Sequence, residues 1–252
     1  MPLLASWLWL LLVLIPLVFL ERWIHRHLLG IWLLIFRHPD IALLVYSLLM
    51  LPGVIVHEGS HWLAATLLGV RTGRFSLIPE RTPDGTLRLG YVETEKVDVL
   101  REALIGAAPL VVGAAAILFV GYSRLGVGPV GEALRRGDVL GMALGLQAMT
   151  RATDFWLWLY VVFTVSNSML PSASDRRAWL PLAVALALLG GILVYAGFGS
   201  LLRNALLGPL DTALRALALA FTLTVGLDLC FAPIIWVIER GLMRLTRLKV
   251  EY

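Results

Sequence analysis

Several apolar stretches in this chain are long enough to cross a bilayer, and that constrains its fold more than any other feature. Leu3 to Leu20 is the first of them. A hydrocarbon core takes about 20 residues of helix to span. Only 15% of the 252 residues are charged and 59% are hydrophobic, whereas a soluble domain carries about 25% charged residues. Backbone polar groups inside lipid must be satisfied within their own segment, so the runs read as helices; a closed barrel would instead show alternating strands. The expected fold is an all-α polytopic membrane protein, a single transmembrane domain over residues 1–252. About six spans are expected, near 3–20, 41–67, 101–122, 154–170, 179–202 and 213–238. No polar stretch is long enough for a separate soluble domain.

The first run has no basic residue before it and no small-residue cleavage site after it, and Arg22 and Arg26 follow. It reads as a retained span rather than a signal peptide. Leu28 to Phe36 is too short to cross and is expected at the interface or re-entrant. Asp138 to Met149 is expected as a short helix on the bilayer surface. The net charge is +4, but the Lys and Arg residues gather in loops between apolar runs. That suits contact with anionic lipid headgroups and argues against nucleic acid as a partner. The single cysteine, Cys230, excludes an internal disulfide and a Cys-based zinc site.

Residues 71–96 form the one loop with a strand pattern. Phe75 to Pro79 and Leu87 to Glu93 read as extended, and Thr82-Pro83-Asp84-Gly85-Thr86 between them is a turn signal. A small β-hairpin at the membrane surface is expected there. Gly126-Val127-Gly128-Pro129-Val130-Gly131 has the glycine spacing of a dinucleotide-binding loop. It follows an apolar span rather than a strand and contains a proline, so it reads as a plain loop.

His57-Glu58-Gly59-Ser60-His61 lies inside the second expected span. Residues four apart on a helix share a face, so both imidazoles can bind one metal. Glu58 adjoins the first histidine. In this motif the glutamate is the general base toward a water activated by the metal. Ionisable residues within a span cost roughly 2.5 kcal/mol or more each, so three of them in metal-binding register point to function rather than architecture. Two histidines leave zinc needing a third protein ligand, with a fourth position open. Asp154, Asp175 and Asp228 are the carboxylates that compete for it. Asp228, deep in the last expected span, also reads as a hydrogen-bonding partner for another helix. His25, His27 and His38 stand beside basic residues at expected span ends and read as interfacial.

With these motifs, and with Asn167 followed by Pro171 and Asp175, the chain resembles the site-2 protease family of intramembrane zinc metalloproteases. That family carries an Asn-x-x-Pro stretch ahead of an Asp-Gly. Asn167 and Asp175 have the family's spacing, whereas Pro171 stands one residue late and Arg176 replaces the glycine. Gly106-Ala107-Ala108-Pro109 resembles the family's glycine-proline signature. The resemblance covers about residues 50–180, with a catalytic core near 41–180 and no PDZ-like domain. It implies one Zn²⁺ per chain on His57, His61 and Asp175, with Glu58 and Asn167 catalytic and Asn167 bonding the substrate backbone. The substrate it implies is a membrane-spanning protein. Span counting agrees: one span separates the two motifs, so their helices run the same way and both motifs reach one leaflet. The expected function is intramembrane peptide hydrolysis, with the active site toward the cytoplasmic side of the cell membrane. The alternative is a catalytically degenerate relative serving as a structural or assembly subunit. A metal transporter would want more liganding residues along a path than this chain provides.

Overall fold

A computed structural model of the chain describes residues 2–81 and 87–250. The fold is helical. Two long helices, α1 (Pro2–Phe36) and α2 (Pro39–Leu67), are joined by a tight link. Four short strands follow: β1 (Thr72–Ser76), β2 (Glu80–Arg81), β3 (Leu87–Arg88) and β4 (Tyr91–Thr94). Then come α3 (Val99–Val120), α4 (Gly128–Arg136), α5 (Val139–Thr150), α6 (Phe155–Ser166), α7 (Trp179–Leu193) and α8 (Gly199–Thr246).

Among the described residues, four stretches are long and apolar enough to cross a membrane: Leu3–Phe36, Pro39–Leu67, Val99–Leu125 and Trp179–Thr246. They differ from six separate spans in three places. The first expected span and the Leu28–Phe36 run are one helix, because nothing in Glu21–His27 breaks it. The fourth expected span is the 12-residue α6, which stops at Ser166 and is too short to cross by itself. The last two expected spans lie on one helical path interrupted only at Gly197, where φ is 89°. That left-handed backbone suits a glycine. α8 alone has 48 residues, about 72 Å at 1.5 Å per residue. The 12-residue helix expected around 138–149 is present as α5.

The strands form a small hairpin insert. β1 pairs antiparallel with β4 through Thr72 opposite Thr94 and Ser76 opposite Tyr91, and β2 pairs with β3. The expected turn at 82–86 lies outside the described residues. The glycine-rich 126–131 stretch caps the turn after α3 and opens α4, with no strand before it.

Polarity is distributed inside out. Leu12, Ile15 and Phe19 are exposed, and α7 has no buried residue, whereas Thr164, Asn167, Thr224, Asp228 and Glu239 are buried. A lipid surrounding accounts for this, since apolar faces that large are rarely left to water. One apolar cluster joins Leu10, Val13 and Leu17 of α1 to Ile117 of α3, Val162 of α6 and Phe221 of α8. A second joins Ile24 and Leu28 to Met50, Phe163 and Ile235. α1 and α8 run parallel, stitched by Ser6 Oγ donating to Asp211, Trp9 Nε1 to Thr222, and His27 facing Glu239 at 2.5 Å.

The pair α2 and α6 positions the site. Tyr160 donates to the Leu49 carbonyl, and His57 Nδ1 donates to the Ser168 carbonyl. Each pair is separated by 111 residues, so the helices run parallel in fixed register, as span counting requires. Gly53 lets them close. A Cβ there would collide with the Thr164 carbonyl, which has the same offset. Small residues at such crossings allow the backbones of membrane helices to touch.

Candidate metal centre

His57 and His61 project from one face of α2, four residues apart, with ring centroids separated by 4.9 Å. Each ring is oriented by its Nδ1 atom. His57 Nδ1 donates to the Ser168 carbonyl at 2.5 Å, and His61 Nδ1 to the Ile105 carbonyl of α3 at 2.9 Å. A carbonyl oxygen can only accept, so both Nδ1 atoms carry hydrogen. The Nε2 atoms then face one another at 3.3 Å.

Asp175 completes the cluster. Its Oδ1 lies 3.3 Å from His61 Nε2 and its Oδ2 lies 3.7 Å from His57 Nε2. The carboxylate is held by the Ser172 N–H, 2.7 Å from Oδ2. Burial pushes the Asp175 carboxyl up, but the His57 imidazole beside it and hydrogen bonds from Ser172 outweigh it and bring it down to about 2. The group is ionised at neutral pH. Arg176, where the resemblance implies a glycine, has no left-handed backbone, so that position does not require glycine here. Gly106 of α3 is what admits the loop: a Cβ there would run into the Asp175 carbonyl. Pro109 lies one turn further along α3 and is buried with it.

Three acceptor atoms turned on one point repel unless a cation stands among them. A proton on one Nε2 relieves one pair, and a metal dication relieves all three. The spacing fits. Zn–N bonds of about 2.0–2.1 Å at a tetrahedral angle place two nitrogens about 3.3 Å apart. Among the described residues His57, His61 and Asp175 form the one group of this kind, with all ligand atoms within 4.8 Å. The negative end of the α6 dipole also points toward this region, where it favours a cation.

Glu58 is 8% exposed and lines the same cleft, which encloses about 400 Å³. β4 forms the opposite wall through Tyr91, Val92 and Thr94, and Glu102 and Arg177 add charge to the rim. Gly90 brings the hairpin onto α2: a Cβ at that position would come within 2.9 Å of Glu58 Cγ and of Val54.

The residues read from sequence are thus brought together in part. His57, Glu58, His61 and Asp175 share the cleft. Asn167 is 1% exposed, and its amide donates to Phe163 O at 3.0 Å and to Asp228 Oδ1 at 2.9 Å. As placed, the amide serves Asp228 rather than the cleft. Asp228 is correspondingly an interhelical partner, and Asp154 begins α6, at the opposite end of the helix from the His57, His61 and Asp175 cluster. His25 and His27, expected at an interface, turn into the helix bundle. His25 bonds Tyr46 and the Asn167 carbonyl, and His27 pairs with Glu239. Their signal was the run of ionisable residues at 21–27, which lies in the middle of one long helix rather than at its end.

No family model, no curated protein and no solved structure matches the chain.

Proposed function

We propose that this chain is an intramembrane zinc metallopeptidase of the site-2 protease type. The observation that carries the reading is the convergence of His57 Nε2, His61 Nε2 and the Asp175 carboxylate beside Glu58. When bound, zinc supplies Lewis acidity and brings a water within reach of deprotonation near neutral pH. His57, His61 and Asp175 would hold the ion. Glu58 follows His57 directly on the helix, so its carboxylate stands beside the ligands without taking a ligand position. It accepts the proton of the attacking water and returns it to the leaving amine nitrogen.

A substrate helix must unwind before its carbonyls can be attacked, because they are hydrogen-bonded within the helix. β4 pairs with β1 on one side and lines the cleft. An unwound substrate strand added beside β4 would have its backbone fixed across the cleft by β-augmentation. The Glu58 wall and the Gly90 contact keep that strand close to the acid–base group.

The test is cleavage of a panel of single-span membrane proteins co-expressed with the chain, read as a size shift on a gel. The wild type is expected to cut at least one within or beside its span. No cleavage across a broad panel would favour the structural-subunit reading.

The basic loop residues Arg71, Arg74, Lys96 and Arg101 support an orientation with this loop and the cleft toward the cytoplasmic side of the cell membrane. A cysteine at Glu95, in a Cys230→Ser background, is expected to resist an impermeant thiol reagent added to intact cells. Ready labelling from outside would reverse the orientation.

A further inference from the structure

We propose that His25 and Asp228 are positioning residues for the metal centre, acting through the C-terminal end of α6; this rests on the metallopeptidase reading above. α6 stops after 12 residues, well inside the bundle. The last carbonyls of a helix lack partners within it and must find them elsewhere. Phe163 O takes the Asn167 N–H, the Asn167 amide and the Ser166 hydroxyl. The first two carbonyls past the helix end are taken by imidazoles. Asn167 O accepts from His25 Nε2 at 2.8 Å, and Ser168 O accepts from His57 Nδ1 at 2.5 Å. The Asn167 side chain is held from a third direction by Asp228 at 2.9 Å.

The two peptides are consecutive, so neither carbonyl can turn without moving the other. Ser168 O sets the orientation of the His57 ring and leaves Nε2 aimed at Asp175. His25 on α1 and Asp228 on α8 fix the peptide just before it. His25 is fixed in turn. Its Nε2 must donate to a carbonyl, so its Nδ1 accepts from the Tyr46 hydroxyl, and Glu21 lies 3.9 Å away on the same helix face. A metal ligand's outer partners set its ring orientation, and losing one typically costs about 10–100-fold in metal affinity or activity.

A purely adhesive role fits less well. Asn167 Oδ1 and Asp228 Oδ2 are buried and carry no hydrogen bond to the described residues. A cluster placed only to glue helices would gain more by satisfying both, since interhelical hydrogen bonds in membranes average only about 0.6 kcal/mol even when made.

The experiment titrates Co²⁺ into the purified, metal-stripped full-length chain in detergent. It records affinity and the visible d–d spectrum, with the melting temperature measured alongside. His25→Phe keeps a ring and removes the donor; His25→Gln keeps a donor. Asp228→Leu removes the acceptor for the Asn167 amide; Asp228→Asn keeps an oxygen there. His25→Phe and Asp228→Leu are expected to weaken Co²⁺ binding at least about 10-fold and to alter the spectrum. The Gln and Asn variants should restore most of both. Wild-type affinity and spectrum in folded His25→Phe and Asp228→Leu would overturn the proposal. So would equal weakening in all four variants that tracks a fall in melting temperature, since that is adhesion. A wild type that binds no Co²⁺ would instead remove the metallopeptidase reading itself.

Discussion

Replacing Glu58 with glutamine is expected to abolish most cleavage while leaving the metal and the fold in place. Glu58 lines the cleft beside both histidines but contributes no atom to the His57, His61 and Asp175 cluster. The substitution keeps the side chain's size and hydrogen-bonding reach and removes its basicity. General acid–base catalysis by one positioned group is worth about 10²–10⁴-fold, and that is the expected loss of turnover. Metal content should be unchanged because all three ligands remain. Stability should hold or rise, because an ionised carboxylate at a buried position is costly. The comparison is made with the substrate panel described above, at matched protein levels. Equal cleavage by wild type and Glu58→Gln would take Glu58 out of the mechanism.

The second large effect is expected at a residue that touches neither metal nor substrate. Gly106 faces the backbone of Asp175 so closely that a Cβ would overlap its carbonyl. Neither side can yield cheaply: α3 is regular helix at this point, and the facing atoms are main chain. Gly106→Val should push the 172–175 loop away and carry Asp175 out of reach of His57 and His61. Overpacking of this kind costs about 1–3 kcal/mol. Because it falls on the ligand loop, metal binding should suffer more than global stability. Gly59→Ala is the matching control. It lies within the histidine motif itself, yet a Cβ there meets nothing within 4 Å. In a helix interior that change is worth about 0.5–1 kcal/mol in favour of alanine. A Co²⁺ titration separates them: binding should be lost in Gly106→Val and kept in Gly59→Ala. Normal binding by Gly106→Val would mean that the loop has freedom this close packing denies it.

The site was legible in the sequence where local periodicity carries it. His57 and His61 are one helical turn apart, and a turn is a property of five residues. Asp175 was reachable because span counting makes α2 and α6 parallel, and their constant 111-residue offset is the three-dimensional form of that count. The hairpin was legible from its two extended runs and the turn residues between them. The helix boundaries were less so. Glu21, Arg22, His25, Arg26 and His27 look like the end of a span because charge is costly in lipid. α1 continues through them because Tyr46, Asn167 and Glu239, on other elements, supply partners for the histidines. Contacts of 142 and 212 residues' separation leave no trace in a local window. The early stop of α6 was hidden for the same reason. The carbonyls just past its end, of Asn167 and Ser168, are taken by histidines from α1 and α2, which lie far away in sequence. Asn167 was singled out for a role toward the substrate backbone, whereas its amide turns to Asp228 on α8, a partner that spacing does not show.

The most direct test of the account is the metal content of the protein itself. The chain should be purified without added chelator, and zinc measured by elemental analysis against protein concentration. The same should be done for Asp175→Ala and Asp228→Ala. The wild type is expected to carry one zinc per chain, and Asp175→Ala to lose it, because removing one of three protein ligands leaves only the two imidazoles. Asp228→Ala should keep zinc at the protein concentrations used, with its weaker affinity visible only on titration. A wild type without zinc, or full retention in Asp175→Ala with loss in Asp228→Ala, would contradict the site described.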